Sequence, residues 1–377
     1  MLFVSSMGGA PWGGSEELWA AAARRALEAG HQVAVSVFDF GVPVVQIEGL
    51  AAAGARIVLR PRRPSRLIEV LRTPSWLHEL RRWKPDAVCL SQGSAYECVG
   101  RRSTRRLLDW FESDAVALVN VVQFNEPRND IRATTLRRSR RLFGLSSANV
   151  FVAARNITEA GVTLGSPVPR ASVVRNPVNL ADTSSLAWCE RAQGPRFACV
   201  ARLHVDAKGQ DLLLMALAQR AWRAEPWGLS LYGTGKDDDA LRARAARLGL
   251  GANVRFAGQT SDIRAVFEEH QVLVLSSRAE GTPLAMVEAM LLGRPCLVTD
   301  VGGCAEWVSE GVNGWLASRH PAPPTVESIG AALDRAWAAR GQWRAMGEAA
   351  RRTALDLHDH DPGSTVLGLM QSARAVV

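Results

Sequence analysis

Short apolar runs rich in β-branched residues recur along the chain, each followed by a segment of helical length. The first series is LFVSS (2–6), QVAVSVFD (32–39), RIVLR (56–60), DAVCLSQ (86–92), AVALVNVVQ (115–123), NVFVAA (149–154) and ASVVRN (171–176). These runs are apolar on both faces, the pattern of strands covered by helices on either side. Parallel strands need a crossover of helical length between them, so the first half predicts a doubly wound parallel sheet. After the loop NPVNLADTSS comes a second series: RFACVAR (196–202), GLSLYG (228–233), NVRFAG (253–258), QVLVLSS (271–277) and PCLVTD (295–300). The expectation is α/β, with two Rossmann-like domains facing a central cleft. The first covers residues 1–180 and the second 181–355, and a helical segment, 356–377, ends the chain.

At 377 residues and 47% hydrophobic content, the chain is too long for one ordinary core and has enough apolar side chains for two. No apolar run approaches the roughly 20 residues that cross a bilayer, and the sequence begins at once with a strand-like segment. A cytoplasmic protein without signal peptide is expected. Cys89, Cys98, Cys189, Cys199, Cys296 and Cys304 form no CxxC pair and read as core thiols. The net charge of +8 is uneven: residues 1–180 hold 24 Lys and Arg against 15 Asp and Glu. Only Lys84, Lys208 and Lys236 are lysines, so arginine is the default cation and a lysine is slightly informative.

In doubly wound sheets, ligands bind where strands hand over to helices, at the carboxyl ends. The stretch SSRAEGTPLAMVEAMLL (276–292) follows a strand and places two glutamates around a Gly-Thr-Pro turn. Pro283 suits the first position of a helix over about 283–292, and Gly293 with Pro295 stops it. Such a start leaves the amides of Leu284 and Ala285 unpaired at the positive helix pole, a site for phosphate. Glu288, farther along the helix, can bind a vicinal diol such as a ribose, and Glu280, ahead of the pole, can reach what the phosphate carries. The plainer alternative is a solvated helix start. Against it, Glu288 lies among apolar neighbours, where a carboxylate needs a partner.

Arg202 ends the strand RFACVAR, and Lys208 stands at the start of the next helical stretch. Two cations there oppose the helix dipole, unless an anion lies between them. A diphosphate shared by Arg202, Lys208 and the pole near Leu284 supplies that anion. Surface charge is the alternative reading.

The ordered series ARLHVDAKGQDLLLMAL, LYGTGKDD, VRFAG, SSRAEGTPLAMVEAM and GRPCLVTDVGGCAEWVSEGVNGWL resembles the second domain of retaining glycosyltransferases of family four, which have the GT-B fold. The resemblance is strong over about residues 195–317. It is looser in the first half, through GGAPWGGSEEL and EAGHQVAVSV. It implies a metal-independent transferase that passes a sugar from a UDP, GDP or ADP sugar to a hydroxyl of a glycan, lipid-linked or small-molecule acceptor with retention. It implies no further cofactor. Arg202 and Lys208 match the pair that binds the donor diphosphate. Glu280 matches the glutamate beside the donor sugar, and Glu288 the one on the ribose. Gly281, Thr282, Leu284 and Ala285 of the same turn belong with the donor, as do Gly13 and Gly14 of the first loop. The terminal segment would return to the first domain.

One departure concerns VVQFNEP (121–127), where many members carry a histidine near the donor sugar. Gln123 or Asn125 can offer hydrogen bonds there but no proton transfer, and turn formation explains them equally well. In such folds the first domain receives the acceptor. Here that domain is basic, with arginine interleaved among Leu and Trp in RIVLRPRRPSRLIEVLRTPSWLHELRRWK, RRSTRR and LRRSRR. An anionic acceptor, peripheral contact with the inner membrane face, or an arginine-rich solvated surface would each account for it. Two rival functions remain at this stage. One is a nucleotide-sugar epimerase of the same fold, and the other is a non-catalytic protein that binds a nucleotide or, through its basic face, nucleic acid. Nucleic acid is not expected, because the tryptophans are dispersed rather than arranged as a stacking platform.

Overall fold

The computed structural model describes residues 1–62, 74–101, 104–125, 130–190, 194–318 and 320–374. Its contacts divide the chain into two compact units, Met1–Pro177 with Asp359–Val377, and Val178–His358. Parts of the basic segments, at residues 63–73 and 102–103, lie outside the described residues, as do Glu126 and Pro127.

Among the described residues, the first unit has seven strands: β1 (Leu2–Ser5), β2 (Ala34–Asp39), β3 (Arg56–Pro61), β4 (Ala87–Gln92), β5 (Ala117–Val122), β6 (Ala148–Phe151) and β7 (Ala171–Val173). All pair in parallel, in the order β3-β2-β1-β4-β5-β6-β7. The strand order reverses between β1 and β4. Both faces are covered, as the uninterrupted apolar runs require: one by a core around Phe3, Trp19 and Val119, the other by a core around Val4, Trp110 and Leu118. The helix Pro362–Arg374 packs on the helix Glu17–Glu28, with Gly363 against the backbone of Ala21. Arg25 pairs there with Asp361 at 3.1 Å.

Buried amides cross the centre of this sheet. Gln92 donates to Asn120 at 2.8 Å, and Asn120 to Asn149 at 3.0 Å. The amide of Asn149 ends the run on the carbonyls of Phe143 and Pro169. Each donor finds an acceptor, so the row ties β4, β5 and β6 together without stranding a polar group.

The second unit has β8 (Arg196–Val200), β9 (Gly228–Tyr232), β10 (Val254–Gly258), β11 (Val272–Leu275), β12 (Cys296–Val298) and β13 (Gly314–Leu316). They too pair in parallel, in the order β10-β9-β8-β11-β12-β13, so the order reverses between β8 and β11. The strand β13 was not among the runs expected from the sequence. Trp222 stacks on Trp337 with ring centroids 4.2 Å apart, and Phe197 meets Trp343 edge-on at 5.5 Å. Such pairs contribute about 0.5–1.5 kcal/mol each beyond area burial. The expected α/β architecture of two doubly wound, Rossmann-like units is therefore present. All six cysteines are buried and free. No helix among the described residues is long and apolar enough to cross a membrane.

Candidate functional site

The second unit's strand order reverses between β8 and β11, so the loops after these two strands diverge and leave a crevice at their carboxyl ends. Arg202 and Lys208 follow β8, and Glu280 to Ala285 follow β11. Lys208 Nζ lies 2.5 Å from Glu280 Oε1, with side chains 19% and 10% exposed. The hydroxyl of Ser277 donates to the same oxygen at 2.7 Å. Glu280 is thus fixed from both loops.

The loops are fastened along their length. The amide of Arg278 donates to the carbonyl of Ala207 at 2.8 Å, and the Arg278 guanidinium makes two bonds to Asp211, at 2.7 and 2.8 Å. That pairing holds the Asp211 carboxyl below its usual range against the opposing effect of burial. Gly209 has φ +60°, and a Cβ there would lie 2.1 Å from the carbonyl of Ser276. Only glycine both adopts that angle and allows the approach.

Gly209 also revises one expectation. Lys208 does not open the long helix: it closes the single turn Val205–Lys208, and Gly209 separates it from the helix Gln210–Ala218. A cation at the end of a turn is favourable to the local dipole, so dipole opposition gives no reason to place an anion there. Arg202 stands in the loop after β8, exposed and without an ion pair among the described residues.

The turn after β11 behaves as the sequence suggested, with one difference. Pro283 is the N-cap, with φ −63° and ψ 118°, and the helix is Leu284–Leu291. Its first recorded backbone bonds run from Met286 and Val287 to the carbonyl of Pro283. The amides of Leu284 and Ala285 precede these and have no intrahelical acceptor. Thr282 is 7% exposed. Glu288 is 3% exposed, and its Oε1 accepts the amide of Asn179 at 2.9 Å. That bond supplies a partner the apolar surroundings demanded.

The sequence reading passed over the support beneath Glu280. The amide of Gly303 donates to the carbonyl of Gly281 at 2.6 Å. Gly302 has φ +52°, and a Cβ on it would lie 2.1 Å from the carbonyl of Glu280. Glycines pressed against a loop after a neighbouring strand were the available signal, in VGGC directly after β12.

In the first unit the singled-out glycines fare differently. A Cβ on Gly13 would meet open space, so nothing in the unit itself requires glycine there; Gly14 is exposed. The crowded glycine of that loop is Gly8, whose Cβ would lie 2.5 Å from Arg101 Nη1. Gln123 and Asn125 are buried, at 3% and 2% exposure. Gln123 Oε1 accepts from Asn176 at 2.9 Å, which leaves its Nε2 unpaired, as is Asn125 Nδ2.

Residues 194–335, which hold Arg202, Lys208, Glu280 and Glu288, match the family model described as Glycosyl transferases group 1. An uncharacterized glycosyltransferase of Haemophilus influenzae is 28% identical over 123 residues, 32% of this chain and 35% of that protein. A glycogen synthase of Pseudomonas syringae pv. syringae is 30% identical over 163 residues, 43% of this chain and 33% of that protein. These matches span about a third of the length of the curated relatives. The crystal structure of Anabaena HepE in complex with UDP superposes with a TM-score of 0.75 over 100% of this chain and 99% of that one, at 18% identity. The likeness shows the fold: two parallel-sheet units of the GT-B kind.

Proposed function

We propose that the protein is a retaining glycosyltransferase, which moves a sugar from a nucleoside diphosphate donor to an acceptor hydroxyl without a metal ion. The observation that carries this reading is the Lys208–Glu280 pair at the β8/β11 reversal, beside the free amides of Leu284 and Ala285. Glycosyl transfer needs positive charge where the leaving diphosphate develops its negative charge, and the arrangement offers three sources: Lys208, the exposed Arg202 and the helix pole. Glu280 stands beside them as the group that meets the sugar. Glu288, one turn farther into the helix, takes the ribose.

The relatives support the chemistry. HepE has been solved with UDP and with UDP-glucose, and glycogen synthases are among the proteins similar to part of this chain. In this reading the sugar leaves as the acceptor oxygen arrives on the same face, and a diphosphate oxygen receives the acceptor's proton. Glu280, already tied to Lys208 and Ser277, orients the sugar and stabilises its positive charge rather than attacking it.

The test begins with the donor. UDP, GDP and ADP, free and as sugar conjugates, are titrated into the wild-type protein and Lys208→Ala while thermal stability is followed. A ligand at about 100 times its dissociation constant adds about 2.7 kcal/mol, a readable shift. One nucleotide class should stabilise the wild type and do so to a measurably smaller extent in the variant. The anomeric proton coupling of the product then reports the stereochemistry, and EDTA should leave turnover unchanged. A product of inverted configuration, or no nucleotide binding at millimolar concentration, would overturn the reading.

A further inference from the structure

Arg60 and Arg294 are the two arginines among the described residues that are only 1% exposed. Their surroundings differ in one respect. Arg294 Nε donates to the carbonyls of Phe267 and His270, at 3.0 and 3.1 Å, and its Nη2 to those of Ala187 and Phe267, at 2.7 and 2.8 Å. In Arg60 only Nη2 is engaged, on the carbonyls of Ser5 and Ser36. Its Nε and Nη1 are buried without a hydrogen-bond partner, and so is the neighbouring Ser36 hydroxyl.

A buried guanidinium with unmade bonds is expensive, because the desolvation of each donor is not repaid. Burial lowers the Arg60 pKa to about 10, which leaves it charged at neutral pH. The group lies over the rings of Phe38, 4.5 Å from the centroid, and Trp76, at 5.6 Å. It forms no ion pair among the described residues. The oxygens of nearby Glu16 are taken by the Ser5 hydroxyl and the Trp19 indole. Burial also raises the Glu16 pKa to about 7, so its negative charge is incomplete near neutrality.

Two further arginines approach Gly8, which the Phe38 ring also borders. Arg62 Nη2 reaches the carbonyl of Gly8 at 3.5 Å, with its guanidinium 4.3 Å above the Phe40 ring. Arg101 Nη1 lies 2.5 Å from where a Gly8 Cβ would be, and Phe38, the ring beneath Arg60, is 3.6 Å from the same point. Arg101 pairs with Glu97 at 2.5 Å yet remains 43% exposed. Gly8 and Gly9 follow β1, at the β1/β4 reversal of the first unit, and open space surrounds Gly9. Arg62 and Arg101 thus meet at Gly8 and form an exposed rim that the Phe38 ring joins to Arg60.

We propose that Arg60, Arg62 and Arg101 form an oxyanion subsite in the first unit, which holds a phosphate or carboxylate carried by the acceptor. That the ligand is the acceptor rests on the glycosyltransferase reading; that the subsite takes an oxyanion does not. The incoming group accepts the unmade bonds of Arg60, which is the reason for keeping such a cation buried. The subsite selects charged over neutral sugars.

The experiment uses the full chain, saturated with UDP to fill the second unit, and titrated with glucose 6-phosphate, glucuronate and neutral glucose in a calorimeter. At least one charged sugar should bind tenfold or more tightly than glucose, and which one does so identifies the oxyanion. Arg62→Gln and Arg101→Gln should each remove about tenfold of that preference and leave UDP affinity unchanged. Arg60→Met should remove it entirely; if that variant fails to fold, the two rim variants, at exposed side chains, decide. Equal binding of charged and neutral sugars by the wild type would overturn the proposal. So would UDP affinity falling together with charged-sugar affinity in the rim variants, since the arginines would then serve the donor. If none of UDP, GDP and ADP binds, the glycosyltransferase reading fails, and the same titration without nucleotide still reads the subsite.

Discussion

Lys208 and Glu280, 72 positions apart in the chain, meet at 2.5 Å where the strand order of the second unit reverses. The contact joins the loop after β8 to the loop after β11, the two loops that frame the donor site we propose. In the absence of ligand each partner satisfies the other. A diphosphate that draws Lys208 toward itself releases Glu280 Oε1 from the ion pair and leaves the carboxylate to the sugar, while Ser277 still holds that oxygen in place.

Lys208→Ala should therefore lower turnover by on the order of 10²–10³, the usual effect of deleting one group that stabilises developing charge. Nucleotide affinity should fall by less than tenfold, because Arg202 and the helix pole remain. Glu280→Gln keeps the shape and the bond from Ser277 but loses the negative charge, and should reduce turnover at unchanged affinity for free nucleotide. Steady-state kinetics beside nucleotide calorimetry separates the two effects. Turnover within a factor of three of wild type in both variants would contradict the assignment.

Glu288 accepts the amide of Asn179 through one oxygen while 97% of its surface is covered, leaving the carboxylate strongly oriented. Glu288→Gln should weaken donor binding by about 1.5–3 kcal/mol, the scale of hydrogen bonds to a charged group. The comparison that tests the ribose role is UDP against its 2′,3′-dideoxy analogue. Wild type should distinguish them and the variant should not.

Gly302 offers a test of the scaffold rather than of the chemistry. A methyl group there would lie 2.1 Å from the carbonyl of Glu280, at a φ of +52° that alanine adopts only with strain. Gly302→Ala should cost about 1–3 kcal/mol of stability through the backbone alone and shift the Glu280 turn away from Lys208. Activity should drop with it. The control is Gly13→Ala, where the unit has room; loss of donor binding in this second variant, at unaltered melting temperature, would mean that a ligand comes close to Gly13.

Glu16 predicts a pH dependence. Burial raises its pKa from 4.5 to about 7, against the hydrogen bonds from Trp19 and Ser5. The folded chain therefore holds this proton more tightly than the unfolded one. The stabilisation is complete below about pH 4.5 and is lost as the pH rises toward 7, an effect on the order of 3 kcal/mol. Glu16→Gln should flatten the fall in stability across that window and raise the melting temperature at pH 8 relative to wild type. An identical pH profile for the two proteins would show that Glu16 ionises freely.

Strand positions could be read from the sequence because a buried parallel strand imposes apolar residues at consecutive positions, a local requirement that LFVSS and QVLVLSS meet on their own. The helix start at Leu284 was legible for the same kind of reason: Pro283 and the preceding Gly-Thr act within a few residues. The position of Lys208 was misjudged because a single left-handed glycine, Gly209, splits what reads as one helix.

The sequence by itself thus determined the elements, the class of fold and the residue types gathered after the strands of the second unit. Only the tertiary structure decided which of them touch. Lys208 meets Glu280 because β8 and β11 are neighbours across the reversal, and Glu280 holds its place because Gly302 and Gly303 press against its turn from beyond β12. Arg60 and Arg294 look alike in sequence, two arginines in an arginine-rich chain. One is buried with its Nε and Nη2 satisfied by backbone carbonyls and the other with its Nε and Nη1 unpaired, a difference set by atoms distant in sequence and close in space.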